Sequence, residues 1–191
     1  MTSITHKRVE YTELFYDLVF VYAISKATAL IHHLDNGMVT FESMLTFLLT
    51  LIILLNNWLI QTGFTNRHGK NSLLNMFVSY LNMVILLFIS NLITQEWELA
   101  FQKFCLALGT LSLTLFVQYL IEYMKKRTSC GSLRTIRGLL WLTGLRAVSV
   151  YTASFLPLKF GVPIFLAGFL STFAMPIFME MRGEKFISNL P

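Results

Sequence analysis

The chain has 191 residues, of which 55% are hydrophobic and only 13% charged, with a formal net charge of +5. A soluble domain carries about 25% charged residues, and half that share cannot coat a water-facing surface of this size. The composition excludes a soluble enzyme, a disordered tail and a disulfide scaffold, and it indicates a polytopic membrane protein.

Six apolar runs are long enough to span a hydrocarbon core, which takes about 20 helical residues. They fall near 13–33, 41–62, 73–94, 101–123, 138–157 and 160–179. The expected fold is all-α: a polytopic transmembrane helical bundle of six spans, forming a single domain over 1–191. A β-barrel is excluded because its strands would alternate in polarity, whereas runs such as Leu45 to Leu55 are continuous. Alternate loops gather Lys7, Arg8, Arg67, Lys70, Lys125, Lys126, Arg127, Arg134, Arg137, Arg182 and Lys185 on one side, against Lys103 and Lys159 on the other. That bias places both termini in the cytoplasm of a multi-pass cell-membrane protein. It also accounts for the positive charge without nucleic acid as a partner. No cleavable signal is visible, and Cys105 and Cys130 read as free thiols.

The first span opens with Glu13-Leu-Phe-Tyr-Asp17. Carboxylates at this spacing share one helix face, with Asp17 about 6 Å deeper. An acid inside a span costs roughly 2.5–3.5 kcal/mol, which demands a partner, a water-filled cavity or a protonated state. Two readings stand: a proton or cation site, or an interfacial Glu13 beside an Asp17 held in a structural ion pair. Lys26 lies on the opposite face from Asp17 and is expected to snorkel outward. His32 and His33 are adjacent, point different ways and make a poor metal pair.

The second span ends with Asn56-Asn57-Trp58 and Gln61, and Trp58 and Gln61 share a face. The third carries Asn75, Ser79 and Asn82 at helical period, a polar stripe that lines a pore or glues helices together. Gln118 and Glu122 repeat the spacing near the end of the fourth, where solvation is cheap. The longest loop is placed at 124–137 and contains Ser129-Cys130-Gly131-Ser132. In the fifth span Arg146 lies too deep to snorkel easily, and it is the natural counter-ion for Asp17, with a backbone carbonyl or polar side chain as the alternative partner. Small-residue pairs at Ala23 and Ala27, Thr143 and Ala147, and Gly168 and Thr172 mark close packing. Nucleotide-loop, zinc-protease and nucleophile-elbow motifs are absent from the sequence, so no cofactor and no metal are expected.

Glu13-Leu-Phe-Tyr-Asp17-Leu-Val-Phe-Val resembles the opening E-L-F-[FY]-D-L-V-F-V of the bacterial low temperature requirement protein A family. The stretch from Trp58 to Asn66 and Arg67 is similar to that family's W…Y-x-N-R segment, with Phe64 where Tyr is common and His68 where Phe is common. The resemblance covers nearly the whole chain and implies an integral membrane protein. Family members are usually longer, and this chain, ending at Asn189-Leu190-Pro191, looks like their amino-terminal half. A homo-oligomer or a separate carboxy-terminal half is then an expected partner, alongside the lipid bilayer.

The resulting expectation is a proton- or cation-coupled transporter or channel-like protein. Asp17 is its titrating group, Arg146 its charge partner and Asn82 a pore or substrate contact. Glu13, Asn75, Trp58, Gln61, Asn66 and Arg67 complete the network. The alternative is a non-transporting membrane assembly or cold-adaptation protein whose buried charges are structural. An intramembrane enzyme acting on lipid is disfavoured, since the sequence offers no ligand set or nucleophile–base pair.

Overall fold

The computed structural model describes residues 11–31, 34–35, 38–68, 73–93, 97–125 and 130–180. Six helices carry the fold: α1 (Tyr11–Thr28), α2 (Phe41–His68), α3 (Leu73–Leu92), α4 (Trp97–Lys125), α5 (Cys130–Ser154) and α6 (Leu158–Glu180). A single 3₁₀ turn, Ala29–Ile31, ends α1. It leads into a two-residue antiparallel pair, β1 (Leu34–Asp35) with β2 (Met38–Val39).

His32, His33, Lys7, Arg8, Lys70, Lys126, Arg127, Arg182, Lys185 and Asn189 to Pro191 lie outside the described residues. So do the side chains of Arg67, Lys125, Cys130 and Arg134.

The segments Tyr11–Ile31, Phe41–Asn66, Leu73–Leu92 and Ala100–Met124 are long and apolar enough to cross a membrane, and Leu158–Phe173 is a shorter apolar helix. Helix α5 does not join them by composition, because Arg134, Arg137 and Arg146 fall within it. It also starts at Cys130, not near 138, so most of the expected 124–137 loop is helical. Hydropathy misplaces that boundary because a basic helical extension and a basic loop have the same composition.

Local chemistry explains the helix ends. Glu13 lies in the first turn of α1 and Lys26 in its last, each of the sign that complements the helix dipole. Thr40 O accepts the Met44 amide at the start of α2. Pro157 precedes α6, and its carbonyl accepts from Phe160 and Gly161. Within the helices, hydroxyls turn back onto carbonyls of the preceding turn, as at Thr65, Thr110, Ser112, Thr143 and Ser171. Apolar surroundings offer a hydroxyl few other partners.

All six helices contribute to one apolar core, which includes Phe20, Leu54, Leu86, Leu108, Val150 and Phe165. Ala23 and Ala27 of α1 are fully buried in this core. On α6, a Cβ added at Gly168 would stand 2.3 Å from Ser149 Cβ, so only glycine permits that approach to α5. Large apolar side chains face outward instead, among them Phe15, Leu18, Phe77, Val84, Trp141 and Val148. In water such a surface would aggregate; in lipid it is the expected exterior.

Candidate functional site

Helix α2 brings polar residues to the middle of this core. Asn56, Asn57 and Gln61 are all buried, and Trp58 between them is half-buried. Each bonds to a side chain on another helix. Trp58 donates its indole N–H to Asp17 Oδ1 on α1 at 2.8 Å, and its ring stacks on Phe20 with centroids 5.7 Å apart. Gln61 Oε1 accepts from Asn82 Nδ2 on α3 at 3.3 Å, and Asn82 Oδ1 accepts from Thr114 on α4 at 2.6 Å. Asn56 Oδ1 accepts from Arg146 Nη1 on α5 at 2.9 Å and from Thr172 on α6 at 3.1 Å. Asn57 Oδ1 accepts from Arg146 Nη2. A polar belt thus ties α2 directly to α1, α3, α5 and α6, and through Asn82 to α4.

The belt corrects the expected pairing of Asp17 with Arg146. Among the described residues these two form no ion pair. Asp17 is bound by Trp58, and Arg146 by Asn56 and Asn57, with its guanidinium 5.2 Å from the centroid of the Phe169 ring. The physical reason is that α2 holds the polar groups nearest to each of them. Two consecutive asparagines offer both terminal nitrogens of a guanidinium a separate oxygen, while Arg146 is 1% exposed and Asp17 lies at an exposed position. Buried Arg146 Nε has no hydrogen-bond partner among the described residues.

On one side of the belt, α1 to α4 line a cleft of about 210 Å³. Thr12, Glu13, Tyr16 and Asp17 line it from α1, and Gln61, Thr62, Phe64, Thr65 and Asn66 from α2. Helix α3 adds Asn75, Met76 and Ser79, and α4 adds Gln118. These are early positions in α1 and α3 and late positions in α2 and α4, so the helices alternate in direction and the cleft lies at one end of the bundle. Its floor is the hydrogen-bonded set Gln61, Asn82 and Thr114.

Of the residues expected to form a site, Glu13, Asp17, Gln61, Asn66 and Asn75 line the cleft. Trp58 holds Asp17 from behind. Asn82, with no exposure, sits in the floor and not on the wall. Arg146 lies above it: Asn57 is four residues from Gln61, about 6 Å along α2. The side chain of Arg67 is outside the described residues.

Asn56, Asn57 and Gln118 are the residues that sequence reasoning missed. Two adjacent asparagines inside an apolar helix were the available signal for an arginine partner. Gln118 is 3% exposed, and its Oε1 is buried without a hydrogen-bond partner among the described residues. Its place near a helix end concealed that burial.

A family model described as bacterial low temperature requirement A protein matches residues 8–189. No curated protein and no solved structure matches the chain.

Proposed function

The chain belongs to the bacterial low temperature requirement A family, and on that premise we propose that it is a proton- or cation-coupled transporter or channel-like protein. It is a multi-pass protein of the cell membrane with six spans and both termini cytoplasmic, and it is not an enzyme. Its partners are the lipid bilayer and a second copy of itself.

One observation carries the reading: Glu13 and Asp17 both line a cleft between four apolar helices. Carboxylates at membrane depth persist where they face a cavity or a partner, and they mark ion and proton paths. Asp17 is the titrating group. Trp58 orients it by donating to Oδ1, and Asp17 lines the cleft. The floor argues for a transporter over an open channel. A cation that passed Gln61 and Asn82 would next meet the guanidinium of Arg146, so passage requires the belt to rearrange.

Proton and cation flux in proteoliposomes tests this. Wild-type protein should support flux and Asp17→Asn should abolish it with the fold retained. Normal flux in Asp17→Asn rejects the role.

A second reading, a non-transporting assembly or cold-adaptation protein, is favoured by a different observation. Every hydrogen bond of Arg146 among the described residues ties helices together. On that reading folded wild-type protein supports no flux.

A further inference from the structure

Three features of the cleft narrow what it holds. The first is charge: Glu13 and Asp17 are one helical turn apart on the same face and both line the wall, so the cleft favours a cation. The second is an unused acceptor. Gln118 also lines the cleft, from α4, and its Oε1 is buried with no hydrogen-bond partner among the described residues. Buried acceptors in folded proteins are satisfied, and one left unmatched in a residue of the cleft wall calls for a ligand that brings an N–H or O–H donor. The third is size. About 210 Å³ is roughly seven water volumes, far more than a bare alkali ion fills. Tyr16 and Phe64 add aromatic surface to the lining, which suits a cation carrying carbon.

We propose that this cleft binds a small organic cation with N–H donors, a primary alkylammonium or a guanidinium, with its charge between Glu13 and Asp17 and one N–H on Gln118. The proposal rests on the reading of the cleft as a cation path, and it adds the chemical class of the cargo. A quaternary ammonium matches the charge and the aromatic surface but has no hydrogen to give Gln118.

The test is calorimetric titration of the full chain in lipid nanodiscs with n-butylammonium, guanidinium, tetramethylammonium, Na⁺ and Mg²⁺. The expected result is saturable binding of butylammonium and guanidinium, about ten-fold tighter than tetramethylammonium, which is the scale of one hydrogen bond to a charged group. Gln118→Leu should weaken butylammonium by about that factor and leave tetramethylammonium unchanged, while Gln118→Glu should strengthen butylammonium. If Gln118→Leu does not fold, the wild-type ranking and Gln118→Glu decide alone. Equal binding of butylammonium and tetramethylammonium, preference for Na⁺ or Mg²⁺, or no binding by folded protein overturns the assignment. Proton or K⁺ flux without alkylammonium binding keeps the transport reading and rejects this one. Alkylammonium binding without any flux does the reverse.

Discussion

Trp58 donates its indole N–H to Asp17 Oδ1, and this contact fixes a carboxylate at the inner end of a cleft built from four helices. Its geometry separates charge from structure. Asparagine at position 17 still offers Trp58 an oxygen, so Asp17→Asn should unfold within a few degrees of wild type while losing coupled flux. Asp17→Leu removes the acceptor as well and should lower stability by about 1–3 kcal/mol. Thermal unfolding of both variants, beside a flux assay, checks the distinction.

Arg146 and its two asparagines behave as a unit. Asn57→Leu leaves a buried guanidinium short of an acceptor and should cost about 2–5 kcal/mol. Adding Arg146→Met to that background should recover much of the loss, because the buried charge is gone and Asn56 keeps Thr172 as a partner. A double-mutant cycle in reversible unfolding measures the coupling. Arg146→Met should not compensate for Asp17→Asn, since Trp58 holds Asp17.

In the cleft floor, Asn82 bridges Gln61 and Thr114. Asn82→Leu strands Gln61 Oε1, while Thr114 falls back on Leu111 O, and should destabilise by about 1–3 kcal/mol. Thr114→Val should cost less, because the Thr114 hydroxyl is shared with Leu111 O and the interhelical bond is worth only about 0.6 kcal/mol in a membrane. Equal losses in the two variants would contradict the bridging role.

Gly168 and Ser149 set the approach of α6 to α5. Gly168→Ala should destabilise by about 1–3 kcal/mol through overpacking. Ser149→Gly removes the atoms the new methyl would strike, leaving Ser149 Cα at 3.7 Å as the nearest contact, so the double variant should regain most of the stability. Unfolding of the single and double variants reads this directly.

Much of the architecture was legible because lipid imposes one rule: long apolar runs become helices. The start of α5 was not, since Arg134 and Arg137 look the same in a loop and in a helix that extends beyond the apolar run. At the site, helical spacing alone placed Glu13 with Asp17 and Asn75 with Ser79, and the cleft gathers all four. Partners across helices were harder. Asp17 and Arg146 are opposite charges in neighbouring zones, which invites pairing on charge alone. Periodicity cannot show that α2 presents Trp58 to one and Asn56 and Asn57 to the other. Gln118 was judged by its depth along a helix, and depth says nothing of the neighbours that bury it.

The most direct test of the central claim is proton and cation flux through proteoliposomes holding this chain. The expected result is flux in the wild type, lost in Asp17→Asn with the unfolding temperature within a few degrees. Folded wild-type protein that passes no ion would contradict the claim and leave the belt as a purely structural tie.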